Sequence, residues 1–145
     1  MRERRRLALA KRQLLIAQIG QRQAMRSLAD VLAEETRSRT LVERSRSLLE
    51  GYSYVSGLAS GEAITERGRF LASLSEVSAA AERAEGDAVR QAEWQADVLA
   101  KADTRMRRFE ERTLEARRAL ENELNRRSAS ETPHMARKLL GKDTT

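Results

Sequence analysis

The residue types that most often carry chemistry are scarce in this sequence. There is no cysteine, which excludes disulfides, thiolate metal sites and cysteine nucleophiles. The single histidine, His134, follows the single proline, Pro133, and no second imidazole is available to share a metal ion with it. We therefore expect neither a histidine-based zinc site nor a Ser-His-Asp triad, and no bound metal.

Phosphate-binding and paired-carboxylate motifs are missing as well. The glycines between residues 51 and 68 match neither GxGxxG nor GxxxxGK, so no phosphate-cradling loop is predicted. Glu34 and Glu35 are adjacent on a predicted helix, as are Glu110 and Glu111, so the side chains of each pair diverge. The sequence thus predicts a protein with no enzymatic activity, no cofactor and no small-molecule substrate.

Charge dominates the composition and is unevenly distributed. Charged residues make up 34% of the 145-residue chain and aromatic residues 3%, and the net charge is +6. The net charge is +6 over residues 1–50, −3 over residues 62–125 and +3 over residues 126–145. A basic first segment and an acidic second segment suit two helices that lie side by side.

Targeting and membrane segments are not expected. No apolar run approaches the roughly 18–20 residues that a transmembrane helix requires. Lys11 and Arg12 interrupt the apolar stretch that a signal peptide would need. Residues 1–29 resemble a mitochondrial transit peptide in being rich in arginine with Glu3 as the only acid, but the same helical pattern continues beyond them.

Two heptad patterns are the strongest structural signal in the sequence. The first places these residues at the a and d positions: Leu7, Ala10, Leu14, Ala17, Gln21, Ala24, Leu28, Val31, Glu35, Ser38, Val42, Ser45, Leu49 and Tyr52. The second places these: Leu71, Leu74, Ser78, Ala81, Glu85, Ala88, Ala92, Gln95, Leu99, Ala102, Met106, Phe109, Thr113, Ala116 and Leu120. Each pattern persists for about seven heptads, which predicts two long helices.

A cluster of glycines and serines at residues 51–61 separates the two patterns. Glycine weakens a helix, and Ser60 is suited to cap a new one. We therefore predict an all-α fold, an antiparallel two-helix coiled-coil hairpin with a rod-like shape. The helices are expected at about residues 3–52 and 62–127, with a corner at about 53–61. Residues 128–145 are expected to form a flexible basic tail, with a short helix around residues 135–140 that ends at Gly141.

A specific register follows if polar layers of the seam face each other. It pairs Gln21 with Gln95, Ser38 with Ser78, Ala24 with Ala92, Val31 with Glu85, and Tyr52 with Ile64. Alanine and serine bury little apolar area, so such a hairpin is expected to be marginally stable alone. This favours a protein that works while it is held by partners.

Three surfaces are candidates for contacting those partners. Apolar residues cluster at the corner: Tyr52, Tyr54, Val55, Leu58, Phe70 and Leu74. Phe70 lies one step outside the a row, which favours partial exposure. Basic residues cluster at the open end: Arg2, Arg4, Arg5, Arg6, Lys11, Arg12, Arg105, Arg107, Arg108 and Arg112. Trp94 is expected on an outer face, where it either marks a contact or lies along its own helix.

Each of these surfaces also has an ordinary structural explanation that involves no partner. The corner residues either pack the turn or form an apolar contact patch. The terminal arginines either provide ordinary solubility or bind an acidic partner, with nucleic-acid phosphates as a competing target. A basic coiled coil that binds nucleic acid is therefore an alternative, although the cluster lacks interleaved aromatic residues for stacking on bases. A homodimeric structural coil is a third possibility.

The chain resembles the FliJ family of flagellar export proteins and their YscO relatives in type III secretion. The resemblance covers roughly residues 1–125 and rests on length, basic charge and the two-helix coil with a Gly/Ser corner. It also rests on LLEGY at 48–52 and RFLASL at 69–74, where Phe70 and Leu74 fit the F-x-x-x-L step that opens the second helix in the family.

This resemblance implies a cytoplasmic coupling protein of the flagellar, type III, export apparatus, located peripherally at the cytoplasmic face of the inner membrane. It implies that the open end enters a hexameric export ATPase, that the tip contacts the membrane export gate protein, and that the protein escorts export chaperones. Carried over, the gate contacts are Tyr52, Tyr54, Phe70 and Leu74. The ATPase contacts are Arg2, Arg4, Arg5, Arg6, Lys11, Arg12, Arg108 and Arg112. Nucleic acid is not an expected partner on this interpretation.

Overall fold

The protein is an all-α helical hairpin. A computed structural model describes residues 1–53 and 60–141. It contains α1, Arg2–Ser53, and α2, Gly61–Leu140, which pack against each other, and the described residues contain no strand. Arg39 on α1 contacts Glu85 on α2, and Arg46, further along α1, contacts Glu82, which has a lower residue number on α2. The helices are therefore antiparallel. The predicted fold class is confirmed.

The hairpin divides into two compact units, each of which contains part of both helices. We call residues 1–22 with 101–145 the terminal unit, and residues 23–100 the central unit. Within the described residues, no helix is long and apolar enough to cross a membrane.

The start of α2 follows the local chemistry of the sequence. The hydroxyl of Ser60 accepts a hydrogen bond from the backbone N–H of Ala63, with N and Oγ 3.3 Å apart. That is the expected cap, and Glu62 adds a favourable negative charge in the first turn. The predicted cap at Ser60 is therefore confirmed.

The carboxyl-terminal end of α2 lies further along the chain than expected. The helix continues through Pro133 to Leu140, beyond the expected end near residue 127, and includes the short helix predicted around residues 135–140. Hydroxyls of Ser128, Ser130 and Thr132 donate to backbone carbonyls one turn earlier, which keeps these residues compatible with helix. The described residues after 124 are all exposed. The flexibility of the tail stays a prediction.

The fully buried residues of the seam are mostly small. In the terminal unit its buried members include Ala10, Ala17, Thr113 and Ala116, as the heptad patterns predicted. In the central unit the buried members are these: Ala24, Ser38, Val42, Ser45, Ser78, Ala81, Ala88 and Ala92. No large side chain among the described residues is completely buried, so each layer of the seam removes little apolar area from water.

The predicted register of the seam is wrong by about one heptad. Glu85 was expected opposite Val31, yet its carboxylate lies 3.5 Å from the guanidinium of Arg39. Tyr52 was expected opposite Ile64, yet its ring contacts Phe70.

The terminal unit shows the same shift. Gln21 was expected opposite Gln95, yet its side-chain amide donates a hydrogen bond to Asp103. A shift of one heptad keeps both apolar rows in the seam, which is why periodicity alone could not exclude it. It also brings Val42 opposite Ala81, and both are buried.

Candidate functional surfaces

Two aromatic rings meet where α1 ends and α2 begins. Tyr52 lies in the last turn of α1 and Phe70 in the third turn of α2, and their ring centroids are 4.9 Å apart at an interplanar angle of 60°. Both side chains stay well exposed, at 41% for Tyr52 and 46% for Phe70. The partial exposure that was predicted for Phe70 is confirmed. The two rings form a surface contact rather than a core layer.

Neighbouring aliphatic residues extend this aromatic pair along both helices. Leu48 lies one turn before Tyr52 on α1, and Val77 lies two turns after Phe70 on α2. Each has about half of its side chain exposed. Sequence reasoning missed Leu48 and Val77, although each stands one step before a seam position, which is the same signal that predicted exposure for Phe70.

We define the corner patch as Tyr52, Phe70, Leu74, Leu48 and Val77. Leu74 is only partly exposed because it also belongs to the seam. Three of the four residues predicted for the tip are therefore brought together or share a helix face. The fourth, Tyr54, lies outside the described residues, as do Val55 and Leu58.

The other side of the central seam is charged. Arg46 donates to Glu82 with N and O 2.9 Å apart, and Arg39 lies between Glu35 and Glu85, at 2.6 Å and 3.5 Å. The hydrogen bond from Arg46 to Glu82 and the negative charge of that carboxylate raise the pKa of Arg46. Arg39, Arg46 and Glu82 occupy e positions, and Glu35 and Glu85 are seam residues that their arginine partner reaches from that side. Leu48 and Phe70 occupy g positions, so the two sides of the central seam differ in character.

The predicted basic residues of the terminal unit are all exposed. They are Arg2, Arg4, Arg5, Arg6, Lys11, Arg12, Arg108 and Arg112, which we call the terminal basic cluster. Carboxylates are interleaved with them. Glu3 lies 3.8 Å from Arg6, Glu123 shares a shallow groove with Arg2, and Glu115 lines a second groove with Arg6 and Arg112. The cluster is therefore a mixed surface with a basic excess.

One member of the cluster has a packing role in addition to its charge. The guanidinium carbon of Arg112 lies 5.3 Å from the ring centroid of Phe109, and that of Arg105 lies 5.8 Å from it. Cations at these distances are attracted to the face of an aromatic ring. Phe109 is itself half-buried in the seam, so Arg105 and Arg112 cover an apolar side chain of the fold.

Trp94 lies on the outer face of α2 in the central unit and is 58% exposed, as predicted. Acidic and basic residues surround it on its own helix, and Arg90 is paired with Asp87. No described aromatic contact involves Trp94. It stands apart from the corner patch in the sequence and does not belong to it.

Comparison with known proteins adds no further constraint. No family model matches the chain, and neither a curated protein nor a solved structure is significantly similar to it. The functional argument therefore depends on the chemistry of the two surfaces.

Proposed function

We propose that this protein is a non-enzymatic component of a bacterial flagellar or related type III export apparatus. In this role the corner patch binds the membrane export gate protein, and the terminal basic cluster binds the hexameric export ATPase. The protein acts in the cytoplasm and at the cytoplasmic face of the inner membrane, and it also escorts export chaperones.

The observation that carries the proposal is the exposed aromatic pair of Tyr52 and Phe70. Two rings pack against each other at the surface, and Leu48 and Val77, at helical spacing from them, are also exposed. Aromatic residues are enriched among the residues that dominate protein–protein binding. Phe70 and Leu74 are also the residues on which the resemblance to the FliJ family depends.

The terminal basic cluster supports a protein partner over a nucleic acid. Glu3, Glu115 and Glu123 interrupt the arginines, and carboxylates repel a phosphate backbone. Phe109, an aromatic ring in contact with Arg112 of the cluster, is half-buried beneath Arg105 and Arg112 and is not presented for stacking on a base. A mixed surface with a basic excess suits an acidic protein surface that presents both carboxylates and donors.

Replacing both exposed rings tests the proposal. We expect Tyr52→Ala with Phe70→Ala to abolish export of flagellar or secreted substrates in the source organism, because the apolar centre of the contact is lost. Export is measured by the amount of substrate in the culture supernatant. Phe70→Ala alone is expected to reduce export strongly, and it provides a milder variant if the double variant folds poorly.

The matched control is Met25→Ala with Leu32→Ala. Both residues are aliphatic, lie on α1 in the same unit and are about half exposed, at 53% and 46%. We expect this control to export normally, and circular dichroism should show equal helicity in all variants. Normal export by the well-folded ring variant would contradict the proposal.

A further inference from the structure

A second apolar surface lies on α1 in the terminal unit. Leu9 stands at its edge, beside the groove that Arg112 and Glu115 line, and the rest faces away from the seam. Leu9, Leu15, Ile16 and Ile19 are between 47% and 59% exposed. In the same stretch the seam buries Ala10 and Ala17. Beside these seam residues, four large aliphatic side chains of the same stretch remain in water, which folding of the hairpin alone does not require.

These four residues share one face of the helix. Leu9 and Ile16 are seven residues apart, Ile16 and Ile19 three apart, and Leu15 and Ile19 four apart, which are the spacings of neighbours on a helix surface. Arg12 falls between them, one turn from both Leu9 and Ile16. We call Leu9, Arg12, Leu15, Ile16 and Ile19 the outer face of α1.

The spacing is that of anchor residues which an amphipathic helix places into an apolar groove or against another helix. Each aliphatic side chain would gain by transfer from water, whereas glutamine or lysine would serve the isolated helix equally well at these positions. The exposed aliphatic residues thus indicate a surface that is covered when the protein is at work.

The positive charge around the outer face of α1 determines which kind of partner can cover it. Residues 1–29 contain eight basic residues and a single acid, Glu3, which lies next to Arg6. A second copy of the same face would bring Arg12 against an equally basic surface. A helix that lies in a membrane surface has its basic residues along the polar face, whereas Arg12 stands in the middle of this apolar face. An apolar surface with flanking carboxylates satisfies both the aliphatic residues and Arg12.

We propose that the outer face of α1 docks an acidic amphipathic helix of a partner protein, which packs as a third helix against the terminal unit. Its apolar residues cover Leu15, Ile16 and Ile19, and its carboxylates pair with Arg12 and with Arg5, which lies one turn before Leu9. This docking does not depend on the contacts that we propose for the corner patch. It shares Arg5 and Arg12 with the terminal basic cluster, whereas Leu15, Ile16 and Ile19 belong to the docking face alone.

The test measures binding of the full-length chain to a fluorescently labelled synthetic helix. The probe carries leucine along one face and glutamate on both flanks, and binding is followed by fluorescence anisotropy at low salt. A second peptide has the same composition in a scrambled order that destroys the leucine face. We expect the wild-type chain to bind the ordered peptide at least about tenfold more tightly than the scrambled one.

Ile16→Gln with Ile19→Gln is expected to weaken binding of the ordered peptide at least about tenfold. Met25→Gln with Leu32→Gln, equally exposed on the same helix, is the matched control and should bind like the wild type. Glutamine favours helix at least as well as the residues that it replaces, so all variants should keep their helicity.

Three results would overturn the proposal. The first is equal binding of the ordered and scrambled peptides, which would reduce the interaction to charge alone. The second is binding of anionic lipid vesicles that Ile16→Gln with Ile19→Gln abolishes, together with no binding of the peptide. The third is self-association of the wild-type chain in sedimentation equilibrium that the same variant removes, because a second copy would then be the occupant.

Discussion

At the scale of single residues, the same residue type is buried at one position of the hairpin and exposed at another. Val42 is 2% exposed in the seam of the central unit, whereas Val77 is 49% exposed in the corner patch of the same unit. Both are valines in the middle of a long helix, so their helix propensities are equal. They therefore form a matched pair for measuring how much the seam contributes to stability.

We expect Val42→Ala to lower the free energy of unfolding by about 1–3 kcal/mol, because it removes buried methyl groups from a seam with few large side chains. Val77→Ala should change it by less than about 0.5 kcal/mol, since alanine is the better helix former and the lost surface is already in contact with water. Urea denaturation followed by far-UV circular dichroism measures both. Equal destabilisation by the two substitutions would show that the seam is not where the described packing places it.

Single residues were predictable where one local rule decides their environment. The position of Phe70 next to the a row predicted its exposure, and the outer-face position of Trp94 predicted the same. The apolar outer face of α1 was missed because Leu9, Leu15, Ile16 and Ile19 lie among seam residues in the sequence. A run such as LLIAQI contains members of both faces, and only their separate exposures distinguish them.

At the scale of helices, the elements were predictable and their alignment was not. Heptad periodicity, the Gly/Ser cluster and the cap at Ser60 are all local signals, and they placed α1 and the start of α2 correctly. Register depends on contacts between residues that are distant in sequence. Pairing polar layers favoured one alignment, whereas the observed one lies about one heptad away.

The start of α2 explains why the corner did not reveal the register. The helix begins at Gly61, well before its first seam residue, Leu71, and residues 61–66 are exposed. The start of α2 and its first seam residue are therefore separated by more than two turns. A register that is symmetric about the middle of the corner pairs each residue of α1 with a residue of α2 that lies about one heptad too early in the sequence.

Engineered disulfides distinguish the two registers. A shift of one heptad brings the buried residues Ser45 and Ser78 opposite each other, whereas the predicted alignment paired Ser78 with Ser38. Because the chain has no cysteine, Ser45→Cys with Ser78→Cys can be introduced without background thiols. We expect this pair to crosslink rapidly under mild oxidation, as seen by a mobility shift in non-reducing gels. Rapid crosslinking of Ser38→Cys with Ser78→Cys instead would contradict the observed register.

At the scale of the whole molecule, the chain presents surfaces of different chemistry in its two units. The corner patch of the central unit is apolar and aromatic, whereas the cluster of the terminal unit is basic with interleaved carboxylates. The buried residues of the seam are mainly alanine and serine, so the seam provides limited stability by itself. Such a chain is well suited to function while larger partners hold it, which is the role proposed for it in an export apparatus.

Function was the part that the sequence and the fold left most open. Heptad patterns occur in many unrelated proteins, because many different residues of suitable size can fill the a and d positions of a coiled coil. The residues that indicate a function rather than a coiled coil are few, chiefly Phe70 and Leu74 at the corner and the arginines near residue 1. Their partners determine whether the proposed function holds.

The most direct measurement determines whether the two surfaces bind different partners. Full-length protein is titrated, in separate calorimetric experiments, against the cytosolic domain of the export gate protein and against the export ATPase from the same organism. We expect Tyr52→Ala with Phe70→Ala to lose gate binding and keep ATPase binding. Arg4→Glu with Arg5→Glu is expected to do the opposite. If neither partner binds the wild-type chain, or if each double variant loses both partners while remaining fully helical, the account is contradicted.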